Sequence, residues 1–149
     1  KQRGRVTALL EDRLLAVVPR DHRLASLPRF PIKEVEHEPF ISLLETSDHD
    51  ARRALEAAGV TPNIRYTTKD DYAIIAMVEQ GLGVSIMPEL LLSGRSDNVR
   101  VMELTPPASR TIGLCLPDAD RAGPATLRFA DCVSDWVREH YSRLQNTLS

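Results

Sequence analysis

The chain has 149 residues, of which 42% are hydrophobic and 27% charged, and its formal net charge is -2 at pH 7. This composition is typical of one soluble globular domain, and it excludes a transmembrane protein, because no apolar run approaches the roughly 18 residues that a membrane span requires. It also excludes strong attraction of this chain to DNA phosphates, since the sequence carries no excess of positive charge.

The N-terminal segment lacks the pattern of a signal peptide. Lys1, Arg3 and Arg5 make it basic, but charged residues at 11–13 interrupt the apolar stretch that follows. The sequence also begins without an initiator Met. We therefore expect the chain to be a fragment of a longer protein whose N-terminal part is missing.

The first predicted element is a short buried strand at residues 14–18, which are all apolar and precede Pro19. A turn at residues 19–22 follows. The stretch from there to Pro39 is mostly polar and contains two further prolines, so residues 32–35 form at most one helical turn. We expect this stretch to connect two lobes.

Three strands are predicted to alternate with two helices in the middle of the chain. The strands lie at residues 40–44, 63–67 and 84–87. An order of strand, helix, strand, helix, strand predicts parallel pairing with right-handed crossovers.

The two helices between these strands have recognisable start signals. The first is expected to begin at Ser47, which forms a capping box with Asp50, and the second at Asp70 or Asp71. Each helix is followed by a glycine that ends it. Their predicted core faces consist of Ala51, Ala54, Leu55 and Ala58 in the first helix, and of Ile74, Ile75, Met77 and Val78 in the second.

The C-terminal part is predicted to contain two strands and a long helix. Residues 99–104 alternate as an outer strand, which the Thr-Pro-Pro segment at 105–107 should end, and residues 110–116 form a further strand. The helix begins at Gly123-Pro124. Its apolar stripe consists of Leu127, Ala130, Val133, Trp136, Val137, Tyr141 and Leu144.

The two cysteines, Cys115 and Cys132, stand far apart in a strand-like and a helix-like run, without the spacing of a metal site. We expect both to be buried thiols in a reducing cytoplasm, and a disulfide between them is the alternative.

The predicted elements divide into one complete lobe and the remnants of another. The complete lobe covers residues 39–105, and the remnants cover 1–20 and 109–149. Two crossings of the chain, near 19–39 and 106–110, are expected to join them.

Two stretches resemble a known family. Residues 14–25, LLAVVPRDHRLA, are similar to a strand followed by a Pro-x-Asp-His-Pro-Leu-Ala turn, although Arg23 stands where that family usually has proline. Residues 70–88 contain an Asp-Tyr helix start and then the run VEQGLGVSIMP, which matches the pattern Val-x-x-Gly-Leu-Gly-Val-x-x-x-Pro. Over nearly its whole length the chain resembles the effector-binding domain of LysR-type transcriptional regulators.

The resemblance implies an α/β fold of the type 2 periplasmic-binding-protein kind. One Rossmann-like lobe, a parallel-dominated sheet with flanking helices, would be complete, beside the remnants of a second lobe. It further implies a cytoplasmic homodimer or larger homo-oligomer that binds a small-molecule effector between its lobes and contacts DNA only through a winged helix-turn-helix that this chain lacks. No enzymatic activity, cofactor, metal or membrane contact is implied.

In folds of this kind the ligand lies at the carboxyl ends of strands and the amino ends of helices. The effector-binding residues are accordingly predicted to be Ser42, Leu43, Ser47, Thr67, Thr68 and Lys69. Lys69 would pair with a carboxylate or phosphate, which indicates an anionic effector. The alternative is that Lys69 is solvated and that both threonines bond only their own backbone.

The resemblance also indicates which residues serve the crossings between the lobes. Pro19, His22 and Pro107 are expected there, and a side-chain hydrogen bond of His22 is expected to hold the turn.

The sequence leaves two other function classes as alternatives. A solute-binding receptor of a transporter has the same fold and is the main alternative. An enzyme is disfavoured, because Ser42, Ser47, His49 and Asp50 lie too close along one strand-to-helix turn to face one another as nucleophile, base and acid. The histidines show no metal-ligand spacing, and Gly81-Leu82-Gly83 closes a helix rather than opening one, the reverse of a dinucleotide-binding turn.

Overall fold

The structure is a computed structural model that describes residues 4–44, 49–94, 98–117 and 122–147. It divides into two compact units, of which one comprises Arg13–Arg110 and the other Lys1–Asp12 with Thr111–Ser149. The strands are β1 (Gly4–Pro19), β2 (Phe30–Pro31), β3 (Pro39–Leu43), β4 (Asn63–Thr68), β5 (Ser85–Pro88) and β6 (Val99–Pro117). The α-helices are α1 (His49–Ala57), α2 (Asp71–Glu79), α3 (Glu89–Leu92) and α4 (Pro124–Thr147), and a 3₁₀ helix spans Ile32–His37.

The parallel pairing predicted for the middle of the chain is present. β3 pairs in parallel with β4, and on its other side Phe40 forms a parallel bridge with Val84. The amide of Ile41 donates to the carbonyl of Val84 at 2.9 Å, and the amide of Val84 donates to the carbonyl of Pro39 at 2.9 Å. β3 is therefore the central strand of this part of the fold.

Helices cover both faces of β3. Neighbouring residues of a strand point to opposite faces, so Phe40 and Ile41 pack against different helices. Phe40 packs in one buried cluster with Leu55 of α1, whereas Ile41 packs in a second cluster with Ile74 and Val78 of α2. Complete burial of side chains of this size contributes roughly 1.5–3 kcal/mol each to folding. The apolar residues whose spacing predicted α1 and α2 are thus the residues that pack in these two clusters.

A second sheet contains pairings that the sequence did not predict. Its strand order is β2-β6-β1-β5. β1 pairs antiparallel with β5, with Leu14 opposite Pro88 and Val17 opposite Ser85. The α/β class is confirmed, and the sheet in which β1 lies is mixed, since β1 pairs antiparallel with β5 and β2 pairs in parallel with β6.

Three predicted element boundaries were wrong. β1 is much longer than residues 14–18, and the 3₁₀ helix exceeds one turn. β6 continues through Pro106 and Pro107, which were expected to end it. A proline removes only its own N–H from a ladder, and the partner β2 ends at the pair Pro31–Thr105, so the neighbouring edge of β6 is open beyond Thr105.

The division into units also differs from the predicted lobe boundaries. Residues 13–20, part of the predicted remnant 1–20, belong to the same unit as β3, β4 and β5, and β1 pairs with β5 there. Along the chain, the boundary between the units falls within β1, after Asp12, and within β6, after Arg110. That these units correspond to the two lobes stays a prediction.

The smaller unit contains the first part of β1, the last part of β6 and α4. Within it, the hydroxyl of Thr111 donates to the carboxylate of Glu11, and the hydroxyl of Tyr141 donates to the carbonyl of Glu11 at 3.0 Å. Ala130 of α4 is buried, but Leu127 and Trp136 of the predicted stripe are 46% and 59% exposed.

Both cysteines are exposed free thiols, so their predicted burial was wrong. Cys115 falls on the outward phase of the alternating burial along β6. Cys132 lies two positions after the buried Ala130, which turns it away from the packed face of α4.

Candidate functional site

The structure brings together the two chain segments that were predicted to bind the effector. Ser42 lies opposite Thr67 and Leu43 lies opposite Thr68, in register along parallel strands. The amide of Leu44 donates to the carbonyl of Thr68 at 2.9 Å. These residues share one edge of the sheet because parallel strands end on the same side.

Ser47, the remaining predicted effector residue besides Lys69, lies outside the described residues. Lys69 follows β4 directly and is exposed. Asp70 caps α2 as predicted, since its carboxylate accepts a 2.9 Å hydrogen bond from the amide of Tyr72. The first turn of α2 thus already carries a negative charge, and an added anion would need the positive charge of Lys69.

The hydroxyl groups at this edge have defined partners. The amide of Asp70 donates to Oγ1 of Thr68 at 3.1 Å, and Oγ of Ser42 donates to the carbonyl of Leu43 at 2.9 Å. A hydroxyl has one proton to donate and two lone pairs to accept with. Among the described residues, Thr68 therefore keeps a proton for a ligand, and Ser42 keeps acceptor capacity.

A concavity of about 300 Å³ lies on the α1 side of these strands. Ser42 and Leu43 line it together with Leu55 of α1 and Ile64 of β4. Phe40, Val60 and Pro62 add apolar surface to this wall, and Arg52 and Glu56 add charged groups to it.

The turn that contains His22 is held by hydrogen bonds. The amide of His22 donates to the carbonyl of Pro19 at 3.1 Å, and Nδ1 of His22 accepts from the amide of Leu24 at 3.2 Å. Nε2 of His22 is buried and lies 3.2 Å from Oε1 of Glu38, outside hydrogen-bond geometry. Pro19, His22 and Pro107 all belong to the unit Arg13–Arg110, and their role as a hinge stays a prediction.

Arg23 adds a surface ion-pair cluster to this turn. Its guanidinium contacts Glu34 at 2.5 Å and Glu38 at 2.9 Å. The hydrogen bond from Arg23 lowers the pKa of Glu34, and the same hydrogen bond raises the pKa of Arg23. The cluster ties the turn to the 3₁₀ helix.

Sequence analysis missed an ion-pair network centred on Arg13. Its Nε and Nη2 contact the two carboxylate oxygens of Glu89 at 2.8 and 2.6 Å, and its Nη1 contacts Glu103 at 2.7 Å. Arg29 joins through Glu103 at 3.1 Å. A single glutamate before three leucines, at residues 89–92, was the only local signal of it.

The described residues meet the requirements of neither a three-ligand metal site nor a membrane-spanning helix. Within them, no group of three His, Cys, Asp or Glu side chains could hold a metal ion. None of the described helices is both long and apolar enough to cross a membrane.

The family model described as the LysR substrate binding domain matches residues 2–138 of this chain. Among curated proteins, the HTH-type transcriptional regulator YvbU of Bacillus subtilis is 28% identical over 129 residues, which are 85% of this chain and 44% of YvbU. The malonate utilization transcriptional regulator of Klebsiella pneumoniae is 26% identical over 104 residues, which are 68% of this chain and 34% of that protein. The chain thus spans less than half the length of these relatives.

Solved structures share the fold. The regulatory domain of Synechocystis PCC6803 CcmR in complex with 2-PG superposes with a TM-score of 0.78 at 20% identity, over 92% of this chain and 68% of that one. The effector binding domain of QuiR in complex with shikimate superposes with a TM-score of 0.77 at 23% identity, over 92% of this chain and 66% of that one.

Proposed function

The chain belongs to the LysR substrate-binding domain family, and from that premise we propose that it senses a small anionic metabolite for a DNA-binding transcriptional regulator. The curated relatives YvbU and the malonate utilization regulator are transcriptional regulators. The effector would bind at the carboxyl ends of β3 and β4, through Ser42, Leu43, Thr67, Thr68 and Lys69, and Ser47 would contribute from the segment before α1.

The observation that carries this proposal is the register between Ser42 and Thr67. It joins two polar segments, 25 residues apart in sequence, at one edge of a parallel sheet. In open α/β sheets ligands bind outside the carboxyl ends of the strands. The N-terminus of α2 follows this edge directly, and because Asp70 and Asp71 already place negative charge there, an anion at this edge depends on Lys69.

The hydrogen-bond inventory supports a ligand that combines an anionic group with hydroxyl groups. Thr68 retains a donor and Ser42 retains acceptor capacity, while Lys69 supplies a positive charge. A carboxylate near Lys69 would accept from the hydroxyl of Thr68, and a ligand hydroxyl would donate to Ser42. The QuiR domain is in complex with shikimate, which is a hydroxylated carboxylate of this kind.

We further propose that effector binding acts by shifting a conformational equilibrium of a cytoplasmic homo-oligomer. A ligand changes such an equilibrium only by its difference in affinity for the two states. Contact with DNA would be made outside this chain, since its net charge of -2 gives little attraction for phosphates. The solute-receptor alternative has less support, because the curated relatives are transcriptional regulators.

The proposal can be tested by isothermal titration of the chain with a panel of carboxylates and phosphates that includes shikimate. Lys69→Gln is expected to weaken binding of an anion about tenfold, which is the usual weight of a charge-assisted hydrogen bond. Lys33→Gln is the matched control, because Lys33 is equally exposed but lies on the 3₁₀ helix. Equal affinity of the wild type and Lys69→Gln for every anion in the panel would contradict the assignment.

A further inference from the structure

A second concavity lies within the unit Arg13–Arg110, between α1 and the part of β6 that follows Thr105. Its volume is about 300 Å³, and the predicted effector residues that the structure describes, Ser42, Leu43, Thr67, Thr68 and Lys69, are not among the side chains that line it. The wall is formed mainly by small apolar residues, among them Ala54 and Ala57 of α1 and Pro106 and Pro107 of β6. This concavity is therefore a different one from the concavity that Ser42 and Leu43 line.

Charged groups converge at one end of this concavity. The carboxylate of Asp50 lies between two guanidinium groups, with Oδ1 at 3.5 Å from Nη2 of Arg53 and Oδ2 at 3.4 Å from Nη1 of Arg110. Both distances exceed the 2.7–2.9 Å of a close charge-assisted hydrogen bond by roughly half an ångström. The three side chains together carry one net positive charge.

Arg53 has donors to spare. Within the described part of the chain its guanidinium makes the long contact to Asp50, and its side chain is 75% exposed. A guanidinium has five N–H donors in a planar fork that fits a carboxylate with two parallel hydrogen bonds. Ser109, which also lines the concavity, adds a hydroxyl.

We propose that this concavity is a second ligand site, for a monocarboxylate with a compact apolar body such as a single ring or a branched chain. The carboxylate would bind to the Arg53 guanidinium, and the apolar body would lie against Ala54, Ala57, Pro106 and Pro107. Ligand sites of about 300–1,000 Å³ are common, and this one is at the lower limit, so the ligand is small. The apolar wall disfavours polyhydroxylated metabolites, whose hydroxyl groups would lose water without new partners.

The test uses phenylacetate as the carboxylate and phenylacetamide as its neutral analogue of the same shape. Each is titrated into the ¹⁵N-labelled chain to about 10 mM, where a ligand with a millimolar Kd saturates most of its sites. With phenylacetate, the backbone amide signals of Ala54, Ala57 and Ala108 are expected to shift. Phenylacetamide is expected to bind about tenfold or more weakly, because it lacks the charge.

Three variants locate the site. Arg53→Gln is expected to weaken phenylacetate binding about tenfold, and Ala57→Leu to abolish it by filling the concavity from an exposed helix position. Arg52→Gln is the matched control. Arg52 is the residue next to Arg53 on α1, but its side chain lines the concavity that Ser42 and Leu43 line. Spectra of the free variants report whether each one is folded.

The outcomes distinguish this site from the effector site. Shifts confined to the amides of Thr67–Lys69, equal binding of the neutral amide, equal loss in Arg52→Gln and Arg53→Gln, or no shifts at the highest concentration would each overturn the proposal. The effector site is judged separately by Lys69→Gln, so either proposal can fail without the other.

Discussion

Arg13 of β1 and Glu89 of α3 form a bidentate ion pair in which the Glu89 carboxylate is only 7% exposed. The same guanidinium contacts Glu103 of β6. One side chain thus links β1, α3 and β6 within the unit Arg13–Arg110. The two oxygens of Glu89 are paired in the geometry that guanidinium and carboxylate favour most.

Replacing Arg13 with Gln is expected to lower the free energy of unfolding by about 2–3 kcal/mol, because it leaves a buried carboxylate without its positive partner. Urea denaturation measures this change. Arg29→Gln is the control, since Arg29 is 59% exposed and contacts Glu103, and it should cost less than about 1 kcal/mol. An equal loss of unfolding free energy in the two variants would show that the ion pair between Arg13 and Glu89 stabilises the fold no more than a surface ion pair does.

Gly83 permits the close contact between β3 and the segment that leads into β5. A Cβ atom at residue 83 would lie 2.3 Å from the carbonyl oxygen of Pro39, which is backbone and cannot move aside. Gly83→Ala is therefore expected to destabilise the chain by about 3 kcal/mol or more. Gly123→Ala, where a Cβ meets nothing within 4 Å, should change the thermal midpoint little, and a similar fall in both would refute the packing argument.

The contact between Arg23 and Glu34 predicts a pH dependence. Glu34 has a pKa below its ordinary value of 4.5, mainly because of the hydrogen bond from Arg23. A lowered pKa in the folded state means that the stabilisation is present above the unfolded-state pKa and is lost as the pH falls through the folded-state pKa. The difference in unfolding free energy between wild type and Arg23→Gln should thus shrink as the pH falls below 4.5.

Denaturant titrations at neutral pH and in mild acid measure this difference. Glu34→Gln serves as the control background. In that background, the loss of unfolding free energy caused by Arg23→Gln should depend less on acid pH than it does in the wild type. A difference between wild type and Arg23→Gln that stays constant across the acid range would contradict the prediction.

The exposure of Cys115 and Cys132 predicts their reactivity. Both thiols should react with a disulfide reagent such as dithiobisnitrobenzoate in the folded chain, at rates near those measured in urea. Slow reaction of either thiol until the chain unfolds would indicate that it is buried. Single Cys→Ser variants assign the two rates.

The family and the alternating α/β pattern could be predicted because their signals are local. Asp70 caps α2, and the apolar spacing of α1 and α2 matches the two buried clusters. The two motifs at residues 14–25 and 70–88 pointed to the LysR family, which the match over residues 2–138 confirms. Each of these features depends on residues within one turn or one strand of each other.

The errors concern features that depend on distant residues. Whether Pro106 ends β6 depends on where its partner β2 stops, and whether Cys115 is buried depends on what covers that strand. Arg13 and Glu89 are 76 residues apart. No local pattern indicates that they meet.

The sequence by itself determined the family, the positions of α1 and α2, and which polar segments follow strands β3 and β4. Only the tertiary structure decided that Ser42 lies beside Thr67, that β1 pairs antiparallel with β5, and that Arg13 holds Glu89. The physical reason is that periodicity, caps and turns act through neighbouring residues, whereas strand register and ion pairs depend on which distant surfaces can be buried together.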